Sequence, residues 1–99
     1  MNVGKMLKVL SRGDKDDTAT TLQRAKDMMV ALCKCEGRKE ERIHSALMRT
    51  MAFSSMEEVT ESCAFVISAV FVLRSGGYLP HETHFPPLEK ELMQIVMED

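Results

Sequence analysis

Residues 55–77 read SMEEVTESCAFVISAVFVLRSGG, and this segment sets the expected architecture of the whole chain. Ser55 is followed three residues later by Glu58, which is the capping-box pattern of a helix start. The eleven residues from Cys63 to Leu73 then include a single polar side chain, and a Gly-Gly pair beyond them supplies a helix stop. The segment is therefore predicted to form one helix over residues 56–74.

A β-strand is the alternative for the same run, because Val66, Ile67, Val70 and Val72 are β-branched and such residues favour strands. The helix is preferred because the cap marks where regular structure begins and because no turn residue interrupts the run. A helix that is apolar on nearly every side has to be surrounded by other helices. This helix is therefore expected to be the core of the protein.

Apolar side chains recur at spacings of three and four in the rest of the chain. They predict a short amphipathic helix near residues 3–10, a helix that Gly37 closes, a helix that begins near Arg38, and a last helix that begins at Pro87. Ninety-nine residues have no room for two independent cores. The predicted fold is all-α, a compact bundle of four main helices plus a short N-terminal helix packed around the buried helix at about 56–74, in a single domain spanning residues 1–99.

The composition, with 44% apolar and 28% charged residues, is that of an ordinary globular protein. No apolar run approaches the roughly 20 residues that a membrane-spanning helix needs. Three cysteines are an odd number, and two of them stand too close together to expect a disulfide. Free thiols in a reducing compartment explain them most simply, so the protein is expected to be soluble, intracellular and cytoplasmic.

The charges are unevenly distributed along the chain. Residues 1–50 contain eleven Lys and Arg against seven Asp and Glu, whereas residues 51–99 contain two against eight. The halves therefore have formal charges of +4 and −6, which add up to the net charge of −2. Complementary halves favour head-to-tail or two-fold self-association, so the chain is predicted to form a homodimer or to bind a protein partner.

Nine methionines are unusual for a chain of this length. Methionine fills gaps in helical cores, and it also forms adaptable binding surfaces. Under the second interpretation, an exposed group of these side chains would be the interaction surface. The candidate residues for that surface are Met28, Met48, Met51, Met93 and Met97.

Basic residues at the end of one predicted helix and along the next suggest an alternative function, nucleic-acid (RNA) binding. Arg38, Arg42 and Arg49 recur at spacings of four and seven, so one side of a helix could follow phosphates. Interleaved glutamates and the lack of an aromatic platform argue against it. The candidate anion-binding residues are Lys34, Arg38, Lys39, Arg42 and Arg49. The amphipathic segment at residues 3–12 could likewise touch an anionic membrane surface.

A zinc- or thiol-dependent protein is the remaining alternative. Two cysteines and two histidines are residue types that bind zinc, and the candidates are Cys33, Cys35, His81 and His84. However, a single residue separates the two cysteines, whereas structural zinc sites usually have two to four residues between paired cysteines. No phosphate-binding loop or nucleophile motif occurs, and the acidic cluster Glu57, Glu58 and Glu61 is typical of a solvated helix start. The chain is therefore predicted to be a non-enzymatic interaction or regulatory module without catalytic residues, metal or cofactor.

Overall fold

The structure, a computed structural model, describes residues 18–79, 81 and 84–98, which form four α-helices and no strand. Helix α1 spans Thr18–Cys33, α2 spans Arg38–Met51, α3 spans Met56–Arg74 and α4 spans Pro87–Met97. The predicted all-α bundle of four main helices is confirmed, and the strand alternative is excluded. The predicted N-terminal helix and the possible membrane contact at residues 3–12 lie outside the described residues.

The start of α3 has the predicted capping box. The Ser55 hydroxyl accepts a hydrogen bond from the Glu58 backbone N–H at 3.2 Å, and the Glu58 carboxylate accepts one from the Ser55 backbone N–H at 3.5 Å. Two of the unpaired N–H groups at the helix start are satisfied in this way. The local sequence therefore determines where the central helix begins.

The end of α3 is a Schellman motif. Gly76 has a φ of +82°, and its N–H donates to the Leu73 carbonyl at 3.1 Å. The Gly77 N–H donates to the Val72 carbonyl at 2.8 Å, which is the six-residue bond that defines the motif. A Cβ on Gly77 would come within 2.6 Å of Val72 Cγ1, so the glycine also allows a close approach. The predicted stop is confirmed.

Helix α3 forms the core because it packs against each of the other three helices. Helix α1 lies mainly on α3, and α4 packs against both α2 and α3. Burial of apolar surface on this scale is the main force that stabilises the fold. The largest fully buried side chains come from all four helices and include Met29, Ile43, Leu47, Val59, Val66, Ile67, Val70, Leu92 and Ile95.

Helices α2 and α4 run antiparallel. Arg42 pairs with Glu98 and Arg49 pairs with Glu91, so a step of seven residues along α2 matches a step of seven in the opposite direction along α4. Both basic residues belong to the positive half of the chain and both acidic residues to the negative half. Part of the charge asymmetry seen in the sequence is therefore satisfied inside the molecule.

The turn between α1 and α2 differs from the prediction that Gly37 closes the first of these helices. Helix α1 ends at Cys33, and Lys34 takes the left-handed conformation with a φ of +55°. The Cys35 N–H donates to the Val30 carbonyl at 3.0 Å, which completes the helix end. Gly37 instead precedes α2 with a φ of +64°, because the reversal needs a second left-handed residue at its far side.

Candidate functional site

Within the described part of the chain, one side of the central helix is partly exposed in its C-terminal half. Phe65, Phe71 and Val72 are 37%, 40% and 40% exposed, and at 100° per residue they fall within about a third of the helix circumference. The Phe85 ring lies edge-to-face on Phe65, with the centroids 5.1 Å apart and the planes at 85°. We call Phe65, Phe71, Val72 and Phe85 the aromatic face.

The aromatic face consists of uncharged side chains. The three neighbouring helices bury the other sides of α3, where Cys63, Ile67 and Val70 have at most 1% exposure. Exposed apolar residues are common singly, but several on one side of a central helix are typical of an interaction site. The sequence does not reveal this face, because a helix that is apolar all round does not show which side its neighbours leave open.

A groove of about 640 Å³ lies where the end of α2, the start of α3 and the start of α4 meet. Its walls combine apolar and acidic side chains. We call it the acidic groove. The residues that line it are Arg49, Thr50, Phe53, Ser54, Glu58, Val59, Glu61, Ser62, Pro86, Pro87, Leu88, Glu89 and Glu91.

Phe53 is the most conspicuous side chain of the acidic groove, because it is 91% exposed. It belongs to the turn after α2, where the backbone N–H groups of Phe53 and Ser54 donate to the Thr50 carbonyl at 2.9 and 3.0 Å. The phenyl ring is therefore almost entirely in solvent beside the groove, whereas Val59, another lining residue, is fully buried.

The carboxylates of the acidic groove differ in their partners. Glu91 is paired with Arg49, and Glu58 belongs to the capping box of α3. The Ser62 hydroxyl donates to Glu89 Oε1 at 3.1 Å. Burial raises the pKa of Glu89 above its usual value, and the Ser62 hydrogen bond offsets part of that rise. Glu61 is exposed, and no hydrogen bond or ion pair engages its carboxylate within the described part of the chain.

The predicted anion-binding residues are not assembled into one free basic surface. Arg42 and Arg49 pair with Glu98 and Glu91, and the Lys39 ammonium donates to the Glu98 carbonyl. The Arg42 hydrogen bond lowers the pKa of Glu98 below its usual value. Lys34 and Arg38 are exposed at the turn between α1 and α2. Three of the five predicted residues are thus engaged by α4 or by Glu98 just after it, which the spacing of arginines alone did not show.

The five methionines predicted as an interaction surface do not share one exposed patch. Met93 is 9% exposed and belongs to the core, which corrects its assignment to a surface. Met28 and Met51 are half-buried against the core. Met93 is covered because α4 packs against two helices at once, which buries a wider arc than the predicted stripe. Met48 and Met97 remain exposed, at 52% and 45%.

The cysteines and histidines considered for zinc do not form a site. Among the described residues, no group of three or more His, Cys, Asp or Glu side chains could hold a metal ion, so Cys33, Cys35, His81 and His84 are not gathered around one point. All three cysteines are buried. Burial raises the pKa of Cys33 to about 11 and that of Cys63 to about 12. Neither thiol has the lowered pKa of a nucleophile.

The chain was compared with protein families, curated proteins and solved structures. No family model, curated protein or solved structure matches the chain. Within residues 18–98, leaving out positions 80, 82 and 83, no helix combines the length and hydropathy required to cross a bilayer. The aromatic face and the acidic groove are two surfaces from which a function can be argued.

Proposed function

We propose that this protein is a small non-enzymatic interaction module that self-associates through its aromatic face. The observation that supports the proposal most directly is the exposure of Phe65, Phe71 and Val72 on the central helix. A folded chain gains by removing such side chains from water, and about 25 cal/mol is gained for each Å² of apolar surface buried. An aromatic group of this kind is also typical of the centre of protein interfaces.

A second copy of the chain is the partner that best fits the aromatic face. Phe65, Ser68 and Val72 are spaced by three and four residues along α3, which is the spacing of a seam between two paired helices. In a two-fold dimer the same patch meets itself. None of the four side chains of the face is charged, so their contact brings no like charges together. Ser68, which is small, allows the helices to come close.

The test is sedimentation equilibrium over a range of protein concentrations. We expect the wild-type protein to form a dimer, and Phe71→Glu to weaken dimerisation by about tenfold or more, because it puts a charge into a desolvated interface. Phe53→Glu is the matched control, since it introduces the same charge at an even more exposed phenylalanine outside the face. Circular dichroism and urea unfolding check that both variants are folded.

Two outcomes would refute self-association. A wild-type chain that is monomeric at every concentration has no such interface. Equal weakening by Phe53→Glu and Phe71→Glu would show that the added charge acts through the whole molecule rather than through the aromatic face.

Nucleic-acid binding stays a prediction with less support than self-association. Arg42 and Arg49 would have to leave their α4 carboxylates in order to contact phosphate, and that exchange reduces the gain from counterion release. A mobility-shift titration with RNA at low salt tests it. Binding that Arg38→Ala and Lys34→Ala weaken, with a steep dependence on salt, would favour this alternative.

A further inference from the structure

We propose that the acidic groove is a second docking surface, and that its occupant is a cationic amphipathic segment of another protein. Such a segment would present a large apolar side chain between Lys or Arg residues. This inference goes beyond self-association and is tested at different residues: Glu61 is the last glutamate of α3 in the groove, and Phe71 lies ten residues beyond it, about 15 Å along the helix.

The apolar part of the groove supplies the anchor. Phe53 projects into solvent, and the half-buried Leu88 is a further apolar residue of the lining. Pro86 and Pro87 form another part of the wall, and their fixed backbone reduces the ordering cost when a partner binds. A volume of about 640 Å³ lies within the range of sites that accept a few side chains. An exposed phenylalanine beside such a space is well placed to pack against an incoming apolar residue.

The charge of the groove selects the kind of partner. Four carboxylates, from Glu58, Glu61, Glu89 and Glu91, face a single guanidinium from Arg49. The lining therefore has three more negative than positive groups, and a second copy of the same groove would be repelled. A partner with Lys or Arg is attracted, and the aliphatic stems of those residues can also cover Phe53 and Leu88.

Glu61 and Glu89 are the carboxylates with which an incoming cation would pair. Glu61 has no charged partner among the described residues, and Glu89 accepts its hydrogen bond from the neutral Ser62 hydroxyl. Partial burial raises the pKa of Glu89, which means that its charged form is less favourable than it would be in water. A cation bound beside it would reverse that effect, because an opposite charge nearby stabilises the carboxylate. The site therefore lacks the positive charge that a basic segment supplies.

The experiment uses a fluorescent synthetic peptide that forms an amphipathic helix from leucine and lysine, and measures its binding by fluorescence anisotropy. The protein is the full chain with Phe71→Glu, so that self-association does not enter the measurement. In this background we expect Glu61→Gln with Glu89→Gln to weaken binding by about tenfold or more, and Phe53→Ser to have a similar effect. Binding should also weaken as salt rises.

Glu57→Gln is the matched control, because Glu57 is an exposed carboxylate on the same helix that does not line the groove. It should change the affinity by less than about twofold. A helix of the same pattern built from leucine and glutamate should not bind. The proposal fails if the leucine and lysine peptide does not bind at low salt, if the glutamate peptide binds equally well, or if Glu57→Gln weakens binding as much as the groove variants do.

Failure of this experiment leaves self-association untouched, and the reverse also holds. The comparison of Phe71→Glu with Phe53→Glu in sedimentation reports on the aromatic face, whereas the peptide titration is made on a chain in which that face already carries a glutamate. Unfolding of each groove variant in urea confirms that the fold is intact. Glu89→Gln keeps an acceptor for Ser62, so it removes charge without removing the hydrogen bond.

Discussion

At the scale of single residues, burial determines the chemistry of the three thiols. Cys63 lies on α3 with no measurable exposure, and the desolvation of its thiolate raises its pKa to about 12. Cys33 is raised to about 11 for the same reason, with the neighbouring Cys35 adding to the effect. At neutral pH these thiols are protonated and act as small apolar side chains. Their positions in the chain did not reveal this, because pKa depends on what surrounds a group in space.

We expect the protein to lose stability in alkali through Cys63. The thiol of an unfolded chain has a pKa of about 9.0, well below the folded value. The unfolded state therefore loses its proton first, so the contribution to stability is complete below pH 9 and is lost as the pH rises towards 12. The expected slope is roughly 1 kcal/mol per pH unit for each such thiol. Urea unfolding between neutral pH and pH 10.5 measures it.

Cys63→Ala tests the assignment of that slope. It removes the titrating group, so we expect a smaller loss of stability with pH, although the variant itself is less stable at neutral pH by about 1–2 kcal/mol. Val59→Ala is the control, because it truncates another fully buried side chain of α3 and retains the thiol. An unchanged slope in Cys63→Ala would contradict the prediction.

At the scale of one element, α3 has both of its ends defined locally. Ser55 and Glu58 satisfy the backbone at the start, and Gly76 and Gly77 do so at the end. Between them the helix is too apolar for an amphipathic pattern to orient it. Its length therefore follows from its end signals, and its orientation follows from the helices that pack on it.

Ser55→Ala should destabilise the protein by about 1 kcal/mol, because the substitution leaves the Glu58 N–H without its hydroxyl acceptor. The midpoint of urea unfolding measures the loss. Ser54→Ala is the control, since Ser54 immediately precedes the cap residue and its hydroxyl is not part of the capping box. If the two alanine variants lose equal stability, the cap does not stabilise α3.

At the scale of the whole molecule, some charged side chains form intramolecular ion pairs and others lie on open surfaces. The positive first half of the chain meets the negative second half where α2 packs on α4, through Arg42 with Glu98 and Arg49 with Glu91. In the acidic groove, Glu61 and Glu89 have no cationic partner among the described residues. The charge asymmetry of the sequence therefore indicates internal packing as much as it indicates a partner.

A double-mutant cycle on Arg49→Gln and Glu91→Gln should give a coupling free energy of about 0.2–1 kcal/mol, because both side chains are partly exposed. The coupling should decrease as salt rises. The same cycle on Arg38→Gln and Glu91→Gln should give a coupling near zero, since Arg38 is exposed and makes no ion pair with Glu91. Equal coupling in the two cycles would mean that the Arg49–Glu91 pair has no specific effect.

Much of the fold could be predicted because its signals are local. Periodic apolar residues, the Ser55 cap, the Gly76 stop and the proline at the start of α4 act within a few residues of one another. The candidate site could not be predicted in the same way. The sequence pattern did not show that the Phe53 side chain is exposed to solvent, or that Met93 is buried because its helix packs against two others.

By itself, the amino-acid sequence determined that the chain is helical, where the central helix begins and ends, and how opposite charges divide between its halves. These properties depend on residues that are close together in the chain, because backbone hydrogen bonds at helix ends and helical periodicity both act over a few residues. Only the tertiary structure decided which side of α3 stays open, which charges pair across α2 and α4, and which carboxylates meet in the acidic groove. Those outcomes depend on contacts between residues that are distant in the chain. The sequence does not distinguish the sides of an apolar helix, and tertiary packing determines which side is buried.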